Sequence, residues 1–495
     1  MKQQSDLFDL IKSMSRSEKR YFTLHAKKNG RGHSRYLDLF KAVNKMGQYE
    51  EGSLQQQFGP SLPTDKHYLY ESILQSMRDY NLSKSRTAKI KTMLLDARLL
   101  YQRGLYQQSE ERLQQAHELA QAMDDQLALL EISREQLNFV WTTKPQGYGE
   151  KIDQLLSEKD DYIRHINEEL TFLSMAYKIQ LAKDQGQQKR LQEEIGEELF
   201  SGDEGMPETA HAQRRYLQCG ALFADLREDH EEATQFYARM VAWWDAYPLI
   251  REESYNRYLA DAFNLLHATY TQKRYAPFKA MLQRLSNEKP VNYHDQRLAF
   301  KQLANYQLLY HINLGIAEGH QELIKKVEEG MALYRLNEVS RLIIAFNVTV
   351  LLLILGQPEA CRRWGGTVLD HYNSTLNSTA FRCSTLLIVL LAAISQDDID
   401  GQESASRALS RSVRKATGAF PADFFRTAAA YLKKIGRAAP GEAKDMLEAL
   451  AEHLNTNDNK PPLGMDDLLL NWIQSRLSGL PLNEVFRKQA QAGEA

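Results

Sequence analysis

Apolar residues recur at three- and four-residue intervals along nearly the whole chain, and period-two alternation is almost absent. That periodicity predicts helix after helix joined by short polar turns, an all-α protein. Leu7, Leu10 and Ile11 open the first helix. Ser15-Arg-Ser-Glu18 follows as a capping box, in which the Ser15 hydroxyl serves an orphan N–H and Glu18 returns to the Ser15 N–H. A second helix is expected to about Lys28, then a turn over Asn29–His33. Helices near 34–46, 51–58 and 64–80 follow, the last entered through Pro63 and a Thr64 N-cap. At the other end, Asn455–Pro462 reads as a polar loop. Beyond it a helix over 465–478 carries Leu468, Leu469, Trp472 and Ile473, a short helix covers 482–490, and the tail is expected to fray.

From about residue 86 the pattern becomes one of paired helices. In residues 89–121, Met93, Ala97 and Leu100 share one face, Gly104 breaks the chain, and Tyr106, Ser109, Leu113 and Ala116 supply the next face. This spacing of large, small and aromatic residues resembles the tetratricopeptide repeat, a 34-residue helix pair. Weaker echoes fall at 214–244, 259–290 and 342–370, and another α-solenoid with degenerate pairs has the same spacing. The resemblance implies a right-handed α–α superhelix of degenerate helix pairs over 86–455, preceded by an N-terminal helical domain at 1–85 and closed by capping helices at 456–495. A lone helix pair has too little core to stand alone, whereas stacked pairs bury both sides and leave a long curved surface.

In that frame the inward positions are Lys91, Leu94, Arg98, Tyr101 and Gln102, then Arg215, Gln218 and Asp225, then Phe263, His267 and Tyr270. Cation, amide and ring together suit an extended peptide held by hydrogen bonds and aromatic contacts. The resemblance therefore implies a non-enzymatic scaffold that binds a protein or peptide. The same positions in 342–355 are Ile343, Phe346, Val350 and Leu353, a row that another element must cover unless it meets a partner.

Composition agrees with long, seldom interrupted helices: 26 glycines and 13 prolines stand where average usage gives roughly 35 and 25. Net charge is −2 but unevenly placed, with +8 on residues 1–95 and −10 on the remainder. In the basic head, Lys12, Arg16, Lys19, Arg20, Lys27, Lys28, Arg31 and Arg35 are interleaved with Tyr21, Phe22 and Tyr36, and Lys66 opens the third helix of a three-helix unit. The alternative expectation is accordingly a nucleic-acid-binding regulator, in which the head contacts phosphates and the repeats sense a peptide or self-associate. The five residues Gly59–Pro63 are long for the turn of a helix-turn-helix.

Chemistry finds little purchase. No GxxxxGK[ST], strand-linked GxGxxG or HExxH occurs, and no catalytic residue, metal site or cofactor is expected. Asp397-Asp-Ile-Asp400-Gly401 lacks the third alternating ligand and the closing Glu of a calcium loop, so it reads as an inter-helix turn. Cys219, Cys361 and Cys383 are odd in number and widely spaced, as buried small hydrophobes of a reducing, cytoplasmic compartment would be. The longest apolar runs, Leu342–Leu355 and Leu386–Ile394, fall short of the roughly 20 residues that span a bilayer, so buried helices and no membrane insertion are expected.

Overall fold

The structure, a computed structural model, describes residues 5–28, 35–82, 84–195, 200, 205–372, 379–416, 420–456 and 461–494. Among these residues there is no strand, and successive helices pack as neighbours. The chain separates into two compact units, Met1–Phe278 with Lys289–Gln296, and Lys279–Glu288 with Arg297–Ala495.

The first unit begins with α1 (Asp6–Ser13), α2 (Arg16–Lys28), α3 (Arg35–Lys45), α4 (Glu51–Phe58) and α5 (Leu62–Leu82). Their apolar faces meet in one core that includes Leu7, Ile11, Phe22, Leu37, Phe40, Leu69 and Ile73. The capping box forms as expected: Glu18 N donates to Ser15 Oγ at 3.2 Å and Ser15 N to Glu18 Oε2 at 2.7 Å. The start of α5 differs from expectation. A three-residue 3-10 turn, Gly59–Ser61, runs directly into a helix opened by Leu62, and Pro63 sits in the first turn, where its missing N–H costs nothing. The α4–α5 connection thus has the turn length of a helix-turn-helix.

The rest of this unit comprises α6 (Arg86–Gln102), α7 (Tyr106–Ala122), α8 (Gln126–Thr143), α9 (Tyr148–Gln185), α10 (Gln188–Ile195), α11 (Ala210–Leu226), α12 (His230–Ala246), α13 (Pro248–Glu253) and α14 (Tyr255–Thr271). The division between units falls within α15 (Tyr275–Asn287) and α16 (Tyr293–Asn313). The second unit continues with α17 (His320–Leu333), α18 (Glu338–Ile354), α19 (Pro358–Asp370), α20 (Thr379–Ser395), α21 (Ile399–Lys415), α22 (Ala422–Ile435), α23 (Pro440–Asn455), α24 (Met465–Ser478) and α25 (Leu482–Glu494). The two longest apolar runs form α18 and α20, buried through most of their length in the core of this unit. Phe346, Val350 and Leu353 are covered there, and Ile343 alone of that row is exposed. Helix α25 continues to Glu494, so the tail is helical where fraying was expected.

Among the described residues one turn recurs at eight connections. A residue with positive φ, at Gly104, Asp124, Gly186, Glu228, Lys273, Gly315, Gly356 and Asp397, is followed by one whose N–H reaches back five residues. Those bonds, from Leu105, Asp125, Gln187, Asp229, Arg274, Ile316, Gln357 and Asp398, measure 2.8–3.1 Å, and each turn is a Schellman closure in which the left-handed residue ends one helix; except after Gly315, the next helix begins two residues later. Asp397 fills this left-handed position and Asp398 caps α21 through Gly401 N at 3.0 Å, so the calcium-like run is the inter-helix turn it was read to be. From Glu228 onward the turns follow at 45, 42, 41 and 41 residues. The helix-pair unit is therefore longer than the 34 residues of the tetratricopeptide repeat.

Candidate interaction surfaces

Positions 91, 98 and 101 of α6 lie seven and three residues apart and share one face. That face meets α8. Arg98 donates through Nε and Nη2 to Glu135 Oε1 at 3.0 and 2.8 Å and through Nη2 to Glu131 Oε1 at 3.0 Å. Lys91 pairs with Glu131, and the Tyr101 hydroxyl donates to Thr142 Oγ1 at 2.6 Å. The hydrogen bond from Lys91, joined by that from Arg98, holds the Glu131 carboxyl below its ordinary range. The hydrogen bond to Glu135 raises the Arg98 guanidinium pKa. These side chains form the seam between two helices, and a partner must compete with the acids of α8 to reach the cations. Gln102 is exposed.

On α11, Arg215 Nη1 donates to Gln218 Oε1 at 2.9 Å; burial, with Arg214 and Arg257 nearby, lowers the Arg215 pKa. The neighbouring Arg214 carries the structural load. Its Nε and Nη2 donate to Asp261 Oδ2 and Oδ1 at 2.9 and 3.0 Å, Trp244 Nε1 donates to Asp261 Oδ2 at 2.8 Å, and the guanidinium lies over the Trp244 ring. On α14, Phe263 is 5% exposed and belongs to the core, so it offers no surface to a partner: α14 buries a broad face that includes Leu259, Ala262 and Leu266. His267 is exposed, and Tyr270 is half-buried with its ring 5.7 Å from that of Phe278.

In the basic head, Arg16 and Arg20 are exposed and Lys19 is half-buried, while Arg31 and the side chains of Lys27 and Lys28 lie outside the described residues. Three of the nominated cations are engaged internally. Lys12 Nζ donates to the Asn44 carbonyl at 2.8 Å. Lys66, only 5% exposed, donates to Glu51 Oε2 at 2.9 Å and to the Tyr49 hydroxyl oxygen at 2.6 Å. Arg35 pairs with Asp65 at 2.7 Å and donates to the Phe58 carbonyl. The interleaved rings are also occupied: Phe22 packs on Phe40, Tyr21 on Tyr80, and Tyr36 stacks on Tyr68 at 4.2 Å.

Two surfaces escaped the sequence reading. Among the described residues, twelve of the 21 exposed large apolar side chains fall between Leu95 and Leu181. Four of them, Leu156, Ile163, Leu170 and Tyr177, stand at seven-residue spacing on α9 and are 41, 41, 50 and 71% exposed. A different face of α9, with Leu155, Phe172, Ala176 and Ile179, is buried. At 1.5 Å per residue the outer stripe extends for about 31 Å. The second surface is an open cleft of about 800 Å³ between α21 and α22. Arg407, Arg411 and Arg414 line it from one helix, and Arg426 and Lys433 from the other. The seven-residue recurrence in 156–177 and eight cations against one acid in 404–437 were the signals available.

Cys219, Cys361 and Cys383 are buried, and burial pushes each thiol up to about 12. Among the described residues no cluster of His, Cys, Asp and Glu could hold a metal ion, and no helix is long and apolar enough to cross a membrane. Comparison with protein-family models and with curated proteins finds no match.

Proposed function

We propose that this chain is a non-enzymatic scaffold, a tetratricopeptide-like α-solenoid of degenerate helix pairs, that binds a protein partner along its outer helix faces. The apolar stripe of α9 carries this reading. A helix that already buries one apolar face has no folding reason to expose Leu156, Ile163, Leu170 and Tyr177 in register, and exposed apolar patches mark interaction sites. Seven-residue spacing suits an amphipathic helix supplied by the partner. The seam between α6 and α8 then sets the geometry of the neighbouring surface and does not itself grip the ligand. A nucleic-acid role for the head has less support, because Arg35 and Lys66 are spent on Asp65 and Glu51.

The test compares proteins captured by the full chain with those captured by an Ile163→Lys/Leu170→Lys variant, each with and without nuclease. Partners lost in the variant and retained after nuclease support the scaffold. An unchanged set overturns the assignment to α9, and a set that vanishes with nuclease favours the nucleic-acid regulator.

A further inference from the structure

The cleft between α21 and α22 carries a charge opposite to that of the body around it. Residues 404–437 hold eight Lys and Arg against the single Asp423, whereas residues 96–495 together sum to −10. Helix geometry concentrates these cations. Arg407, Arg411 and Arg414 follow at intervals of four and three residues, so they rise in steps of about 6 and 4.5 Å along one face of α21. Across the cleft, Arg426 and Lys433 are seven residues apart on α22. Arg407 is partly neutralised by Glu403 at 3.2 Å, and Arg426 by Asp423 at 2.9 Å. No acid among the described residues pairs with Arg411, Arg414 or Lys433, all of which are exposed. Arg411 also borders a second opening, of about 520 Å³, that Arg382 and Lys415 share, so the positive surface continues around α21.

We infer that this cleft binds an acidic peptide segment of a partner protein in extended conformation. In an extended chain, alternate side chains lie roughly 6.5–7 Å apart, close to the step of about 6 Å from Arg407 to Arg411, and the long arginine side chain takes up the shorter step to Arg414. Arginine engages a carboxylate with two parallel N–H donors. Ser404 and Ser410 add hydroxyl donors at the cleft wall, where the exposed Ala430 leaves an uncharged patch between the cations. Single-stranded nucleic acid fits less well, because the cleft exposes no aromatic ring on which bases can stack. The inference rests on the scaffold reading for its premise that the partner is a protein, and it places that contact on a surface distinct from the α9 stripe.

Fluorescence anisotropy on the full chain tests it, with a labelled (Glu-Ala)6 peptide, a (Gln-Ala)6 peptide and a uridylate dodecamer as probes. The expected result is that (Glu-Ala)6 binds, that affinity falls as salt rises, and that (Gln-Ala)6 does not bind. Arg411→Gln/Arg414→Gln weakens the acidic peptide at least tenfold with no change in thermal unfolding, because no acid among the described residues pairs with either side chain. The Ile163→Lys/Leu170→Lys chain binds it as the wild type does. Absence of (Glu-Ala)6 binding, or equal affinity in the cleft variant, overturns the inference while leaving the α9 capture result standing. Tighter binding of the uridylate through the same arginines overturns the peptide assignment.

Discussion

Asp261 offers the sharpest test of how the first unit is held together. Its carboxylate is buried and receives three hydrogen bonds, two from Arg214 and one from Trp244, so three elements, α11, α12 and α14, meet on one side chain. Asp261→Ala leaves the Arg214 cation buried at 8% exposure with no counter-charge and removes the acceptor for Trp244 Nε1. Breaking such a pair from one side costs about 3–5 kcal/mol, a large share of the roughly 5–15 kcal/mol that holds a typical domain folded. The double change Arg214→Met/Asp261→Leu removes both charges and fills similar volume. Its expected cost is about 1–3 kcal/mol, because the desolvation penalty disappears along with the attraction while buried Trp244 Nε1 still loses its acceptor. Urea unfolding followed by circular dichroism gives the free energies, and hydrogen exchange read on peptides from 210–271 locates the loss in this unit. Non-additivity of about 3 kcal/mol between the single and double variants is the signature of the pair. If Asp261→Ala costs less than about 1 kcal/mol, or the double variant is as unstable as the single one, the reasoning fails.

Gly330 of α17 has room for no side chain, since a Cβ there would fall 2.0 Å from the Phe300 ring of α16. Gly330→Ala is expected to lower stability by about 1–3 kcal/mol, whereas Gly366→Ala, with open space around it in α19, is expected to raise it by about 0.5–1 kcal/mol; both are read by urea unfolding. Lys91→Ala is expected to cost under about 1 kcal/mol at neutral pH, because the Lys91–Glu131 pair is partly exposed. Glu131 titrates below its ordinary 4.5, so the wild-type advantage is present above that value and fades as pH falls through the lowered pKa. A gap between wild type and variant that does not narrow as pH is lowered from neutral through the acid unfolding range would refute this.

The helices were legible because apolar spacing declares them, and their boundaries were legible where glycine marks the turn, as at Gly104 and Gly356. Asp124, Glu228, Lys273 and Asp397 perform the same left-handed turn without glycine, so these breaks hide among ordinary polar residues. The α5 start was misplaced because Thr64 has the chemistry of a cap while Leu62, one residue before a proline, is what the core of the head takes up. The site was less legible. Lys91 and Arg98 were placed on one helix face, but the acids that meet them lie 33 to 40 residues away, and no local spacing reveals such a partner. Phe263 was assigned to the inward, partner-facing row because a repeat frame fixes one such stripe, whereas α14 buries more than one stripe. The cationic cleft was hidden by summation: a net −10 over the body absorbs the local excess of 404–437.

The repeated turn has a consequence for how such a chain changes in length. The turns at Gly315 and Gly356 share a left-handed glycine and one closing hydrogen bond, from the next residue to the carbonyl five back, so Gln357 could follow Gly315 as Ile316 does. Excision of residues 316–356 removes α17 and α18 whole and rejoins two equivalent junctions. Insertion of a copy at the same place does the reverse. The left-handed turn recurs with its closing hydrogen bond kept and its residue not, so a change in length by whole helix pairs preserves every junction.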